Sequence, residues 1–134
     1  MEKPDQDKIE PENFTVLVAE NEALIRMDIV DTLTEGGLRV MEAASGTEAV
    51  ELIDDPDHVA LVVTDINIPG IDGIDVSRHA RSRHPDIPVL FVSARPDLLT
   101  APRTPRPYSY LSKPFSIFEL RAKVSALLAA RSGK

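Results

Sequence analysis

Three short apolar runs and two mixed strand-like segments, separated by helix-forming stretches, limit what this chain can fold into. Phe14-Thr15-Val16-Leu17-Val18-Ala19, Ala60-Leu61-Val62-Val63-Thr64 and Ile87-Pro88-Val89-Leu90-Phe91-Val92 are almost continuously apolar. A strand with one wet face alternates. An unbroken run is the pattern of a strand covered on both faces, as in a parallel sheet. Arg39–Ala43 and Tyr108–Leu111 read as further, shorter strands.

The intervals carry helix signals. Asn21 can cap a helix that places Ile25, Ile29, Val30 and Leu33 on one face and stops at Gly36-Gly37. Ser45-Gly46-Thr47-Glu48 has the form of a capping box, opening a helix with Ala49, Val50 and Ile53 that Pro56 closes. A weaker helix spans residues near 74–83 and stops before Pro85. Ser116-Ile117-Phe118-Glu119 is a second capping box, and its helix aligns Ile117, Leu120, Val124, Leu127 and Leu128. Strand and helix alternate, which is the order of a parallel sheet with helices on both faces. One interval breaks the pattern. Residues 94–107 contain Pro96, Pro102, Pro105 and Pro107. Proline costs about 3 kcal/mol inside a helix, so about one turn near Pro96–Thr100 is all that can form.

Composition narrows the class. The chain has 134 residues, enough for one core. No apolar run approaches the roughly 18–20 residues that span a bilayer, and Met1-Glu2-Lys3-Pro4-Asp5 does not read as a secretory signal. The absence of cysteine excludes disulfide scaffolds, cysteine zinc sites and thiol chemistry, and fits a reducing compartment. A net charge of −7 argues against a bulk nucleic-acid binder. The charge is uneven. Residues 1–67 hold 4 basic and 17 acidic side chains, whereas residues 68–134 hold 11 and 5. Residues 1–12 are expected to be a flexible acidic tail, and 13–131 the folded domain.

In an open parallel sheet, functional groups collect at the carboxyl ends of the strands. Here those ends carry Glu20-Asn21-Glu22, Asp65, Ser93 and Lys113. Carboxylates and amide oxygens are hard ligands that suit magnesium. Lysine and serine can hold phosphate oxygens, and an aspartate can accept a phosphoryl group. Each residue also has a plainer reading. Asp65 can be a turn residue, Glu20 a first-turn acid, Asn21 an N-cap, Ser93 a strand-end hydroxyl, Lys113 a solvated lysine and Tyr110 a core aromatic. Lys113-Pro114 reads as a cis bend that aims the lysine. His58, His79 and His84 lack metal-ligand spacing and are expected at the surface.

Four motifs in order carry a resemblance. They are Val16-Leu17-Val18-Ala19-Glu20-Asn21-Glu22, the run Val63-Thr64-Asp65-Ile66-Asn67-Ile68-Pro69-Gly70-Ile71-Asp72-Gly73, Val92-Ser93-Ala94, and Tyr110-Leu111-Ser112-Lys113-Pro114-Phe115. Over about residues 14–131 the chain resembles the receiver domain of two-component response regulators. The resemblance implies an α/β doubly wound, five-stranded parallel sheet of order 2-1-3-4-5 with five helical segments, of which the prolines of residues 94–107 reduce the fourth. It implies that Asp65 accepts a phosphoryl group from a histidine kinase or histidine phosphotransfer protein. Mg2+ would be held by Glu20, Asn21, Asp65 and the Asn67 backbone carbonyl. Ser93 would be the switch hydroxyl, Lys113 the paired lysine and Tyr110 the switch aromatic.

Two departures stand out. Asn21 occupies a place where the family usually has a carboxylate, which predicts weaker magnesium binding and slower phosphorylation. The proline-rich interval replaces most of a helix that the family uses for signalling. The expected function is a cytoplasmic phosphoacceptor that switches its strand-4 and strand-5 surface for a downstream partner or output domain. It would be a signalling domain rather than an enzyme, without direct nucleic-acid or membrane binding, and with homodimerisation open. Arg95, Arg103 and Arg106 form either a docking patch for an acidic partner or a solvated loop. The rival readings are a pseudo-receiver that binds partners without phosphorylation, favoured by Asn21, and an aspartyl-phosphate enzyme. The latter would need a second acid where Asn67 stands. The chain stops at Lys134, soon after the last helix, so a stand-alone receiver and an excised piece are both open.

Overall fold

The apolar runs form the interior of the molecule. The computed structural model describes residues 14–55, 59–100 and 102–132. Its strands are β1 (Thr15–Ala19), β2 (Arg39–Ala43), β3 (Leu61–Thr64), β4 (Val89–Ser93) and β5 (Ser109–Ser112). They pair in the order β2-β1-β3-β4-β5, and every pairing is parallel. The four helices are α1 (Ala23–Glu35), α2 (Gly46–Ile53), α3 (Gly73–Arg83) and α4 (Ile117–Ser132), and one 3-10 turn covers Pro96–Thr100. The fold and the reduced fourth segment match the sequence reading. The tail at residues 1–12, Pro56 and His58 lie outside the described residues.

Each central strand is apolar on both faces because helices cover both. Leu17, Val62 and Phe91 point to one side, where they meet Ala49 and Ile53 of α2 and Ile74 and Ala80 of α3. Val16, Val18, Val63 and Leu90 point to the other, against Ile29 and Leu33 of α1 and Leu120, Val124 and Leu128 of α4. The period-two alternation of a strand thus divides one apolar run between two cores. Among the described residues, no helix is long and apolar enough to cross a membrane.

The helix starts show where local signals held. Ser45 accepts from the Glu48 N–H at 3.1 Å, and Glu48 reaches back to the Ala44 N–H at 2.7 Å. Ser116 and Glu119 make the reciprocal pair at 3.0 Å each way. Asn21 does not cap α1. The helix begins one residue later, with Glu22 at the N-cap position. Ile117 also departs from expectation: it is exposed rather than on the core face, because it lies in the first turn of α4, beyond the end of β5.

Candidate functional site

Three backbone hydrogen bonds carry the parallel ladder one residue past the assigned strands. Glu20 N–H donates to Ala43 at 3.0 Å, Asp65 N–H to Ala19 at 3.0 Å, and Lys113 N–H to Ser93 at 2.9 Å. These bonds hold three reactive side chains at the same sheet edge, with Ser93 closing β4 beside them. The edge is one site because the register makes it one.

Its centre is an ammonium between two carboxylates. Lys113 Nζ donates to Asp65 Oδ2 at 2.8 Å and lies 2.9 Å from Glu20 Oε1. Glu20 is 1% exposed and Asp65 8%. Burial pushes the Glu20 carboxyl above its ordinary range, while Lys113 and the Glu22 N–H pull it back. Burial pulls Lys113 down, but the bond to Asp65 and the nearby charges of Asp65 and Glu20 outweigh it, so the lysine is raised and stays charged. Asp65 Oδ1 accepts from the Ile66 N–H at 2.6 Å and the Asn67 N–H at 3.4 Å. Those bonds fix the carboxylate's orientation. Lys113-Pro114 is cis, as its sequence suggested, and Arg106-Pro107 is cis as well.

The remaining candidates fall at different distances from this centre. Ser93 is buried, and its Oγ accepts from the Arg95 N–H at 2.9 Å. Asn67 and Asn21 are exposed, and the Asn21 amide takes no part in the described hydrogen bonds. Tyr110 is 48% exposed on β5, which removes the core-aromatic reading. Tyr108 takes the inner position instead, edge-on to Phe91 with ring centroids 5.7 Å apart.

Two of the three arginines weighed as a docking patch or a solvated loop are engaged in ion pairs. Arg95 pairs with Asp97 at 2.8 Å, and Arg103 reaches Asp72 and Asp75 at 2.6 Å each. His79 is half-buried on Asp54 at 2.8 Å rather than free at the surface. His84 is half-buried too.

Two residues near the centre were not singled out as site residues from sequence. Arg26 donates to the Glu20 carbonyl at 2.6 Å and to Glu42 at 3.2 Å, tying β1 to β2 above the site. Glu22 places Oε1 3.7 Å from Lys113 Nζ. The only sequence signal for Glu22 is its place in an acid-amide-acid triplet.

The donor set suits a hard divalent cation. Glu20 and Asp65 supply buried carboxylates, and Glu20 Oε1 has charge contact with Lys113 but no aligned hydrogen bond. Among the described residues, no three His, Cys, Asp or Glu side chains are gathered as a metal cage. The ammonium sits where the carboxylates converge, so a cation here would complete its shell with neutral oxygens and water.

Comparison with known proteins agrees with this geometry. Residues 16–125 match the family model described as the response regulator receiver domain. The transcriptional regulatory protein PdtaR of Mycobacterium tuberculosis is 45% identical over 109 residues, covering 78% of this chain and 52% of PdtaR. A response regulator receiver protein from Sinorhizobium medicae superposes with a TM-score of 0.82 at 35% identity, covering 88% of this chain and 96% of that one. The response regulator TrrA of Thermotoga maritima, solved in complex with Mg(2+)-BeF, gives a TM-score of 0.77 at 28% identity, covering 85% and 98%. The chain belongs to the receiver domains of two-component response regulators, a family of signalling modules. It spans about half the length, or less, of the curated relatives it matches.

Proposed function

We propose that Asp65 accepts a phosphoryl group from a phosphohistidine on a histidine kinase or phosphotransfer protein. A carboxylate oxygen of Asp65 attacks phosphorus, the N–P bond of the donor breaks, and the imidazole leaves with the bonding pair. The observation that carries this reading is Lys113 Nζ held within 2.9 Å of both Asp65 and Glu20 at the carboxyl edge of the sheet. The lysine offsets charge that grows on the transferring oxygens. Ser93 accepts from Arg95, which leaves its O–H free to donate to a phosphoryl oxygen.

Mg2+ would be held by Asp65, Glu20 or Asn21, and the Asn67 carbonyl, and would supply charge neutralisation at the phosphoryl oxygens. The donor set above and the Mg(2+)-BeF complex of TrrA support this assignment. Ser93, Lys113 and Tyr110 then bias the strand-4 and strand-5 surface toward a downstream partner or output domain. The Tyr110 ring stands about half exposed on that surface. The setting is cytoplasmic, and homodimerisation is one possible output.

The exposed, unengaged Asn21 favours a second reading, a pseudo-receiver that binds partners without phosphorylation. One experiment separates the two: incubation with Mg2+ and a small phosphodonor, followed by intact mass. The wild type should gain one phosphoryl group and Asp65→Asn none. An unlabelled wild type supports the pseudo-receiver, and an equally labelled variant moves the acceptor elsewhere.

A further inference from the structure

We propose that Glu22 supplies the carboxylate charge that Asn21 lacks at the cation site. The inference rests on the phosphoacceptor reading and adds a residue to it. Glu22 is the N-cap residue of α1, with φ −83° and ψ 113°, yet its side chain makes no capping hydrogen bond. An acid at a helix start is ordinarily drawn to the free N–H groups of the first turn. Here the carboxylate turns the other way, and Oε1 lies 3.7 Å from Lys113 Nζ.

The same residue also positions its neighbour. The Glu22 N–H donates to Glu20 Oε2 at 3.0 Å, leaving Glu20 Oε1 buried and without an aligned hydrogen bond. Lys113 Nζ therefore has three carboxylates around it, at 2.8, 2.9 and 3.7 Å. Two are buried, and the third is exposed at the rim. Asn21, between the two glutamates in sequence, contributes no charge. A rim carboxylate acts on a divalent ion through a layer of water as well as by contact, since Coulomb attraction falls only as the inverse of distance. Charge count is also what chiefly tunes divalent-cation affinity.

Calorimetric titration of the whole chain with MgCl2 tests this. Glu22→Gln should weaken Mg2+ binding about fivefold, and adding Asn21→Asp to that variant should restore it to within about twofold. Glu35→Gln, which removes a carboxylate paired with Arg121 at the other end of α1, should bind as the wild type does. Thermal unfolding without Mg2+ should shift little in Glu22→Gln, because no cap bond is lost and the ion pair given up is long and exposed on the Glu22 side. Wild-type affinity in Glu22→Gln, or a wild type that binds no Mg2+, overturns the proposal. So does a loss that Asn21→Asp fails to restore, since the defect would then lie in the start of α1. Phosphoryl labelling of Asp65, read separately by mass, shows whether the underlying phosphoacceptor reading stands when this one falls.

Discussion

The two loops that flank the site at the carboxyl edge are held by opposite means. The loop from Asp65 to Gly73 is fixed by missing atoms. A Cβ on Gly73 would overlap the Asp65 carbonyl, and one on Gly46 would overlap the Ile71 carbonyl. Gly70 sits at φ +79° against Thr47, in backbone space that side chains avoid. The Gly46 N–H donates to Pro69 at 2.9 Å, and the Gly73 N–H to Ile66 at 2.8 Å. The starts of α2 and α3 thus grip the loop after Asp65 from both sides.

The segment from Ala94 to Pro107 is fixed by long side chains reaching across a gap. Arg81 donates to the carbonyls of Arg106 at 3.2 Å and Pro107 at 2.6 Å, and Arg78 to that of Arg103 at 3.2 Å. Arg103 returns the contact to Asp72 and Asp75 at the start of α3. Below these, Leu99 is buried in the core. The prolines have removed backbone donors, so this segment gains order as an acceptor of arginine N–H groups. A sterically locked loop suits chemistry that must not move. A tethered segment can be released bond by bond, and Asp72, which caps α3, joins it to the acceptor loop.

The largest effect should come from breaking the locked side. Gly73→Ala forces backbone against backbone, with no flexible side chain to yield, and should cost about 3 kcal/mol or more. Urea unfolding measures it, and a cost well under 1 kcal/mol would mean the acceptor loop is not sterically fixed. Arg81→Ala should cost less, about 1–2 kcal/mol, because three carbonyls, that of Ile87 partly buried and those of Arg106 and Pro107 exposed, lose a charged donor. Its mark should be faster amide exchange in residues 103–108 with the sheet unchanged. Arg103→Ala removes two solvent-exposed ion pairs, to Asp72 and Asp75, and should cost about 1 kcal/mol or less. If Arg103→Ala proves costlier than Arg81→Ala, the main-chain tethers are not what holds the segment.

A smaller effect concerns pH. Glu20 is raised above its ordinary value by burial, so the folded state takes up its proton before the unfolded chain does. The wild type should gain stability as pH falls from that raised value toward the ordinary glutamate range, and lose it as pH rises back. Glu20→Gln should lack this gain. Parallel pH profiles of the urea midpoint for the two proteins would contradict the burial argument.

The contrast also explains what the sequence disclosed. The sheet was legible because its three central strands are apolar runs, and four of the strand ends carry their reactive groups in plain order. Ser45 and Ser116 declared their helices through a glutamate three residues on. Asn21 misled because an N-cap preference says nothing about which of two adjacent polar residues starts the helix; Glu22 took the place. The tethers of the proline-rich segment were not legible. Their acceptors are main-chain carbonyls, which leave no trace in residue identity, and Arg78 and Arg81 look like ordinary exposed helix residues. Leu99 was not legible either: it is a single side chain that a short 3-10 turn turns inward.

The most direct test of the account is amide hydrogen exchange with and without Mg2+ and a phosphoryl mimic. Its central claim is that Asp65 is charged with a phosphoryl group in a fixed loop and read out by the tethered segment. Ser93 connects the two through Lys113: its Oγ accepts from the Arg95 N–H and its carbonyl from the Lys113 N–H, and the Lys113 ammonium donates to Asp65. Residues 65–73 should exchange slowly in both states, and protection in residues 94–107 should rise with the mimic by more than in α4. Unchanged exchange in residues 94–107, with the response confined to α1 or α4, would contradict the account and place the output on the opposite face of the sheet.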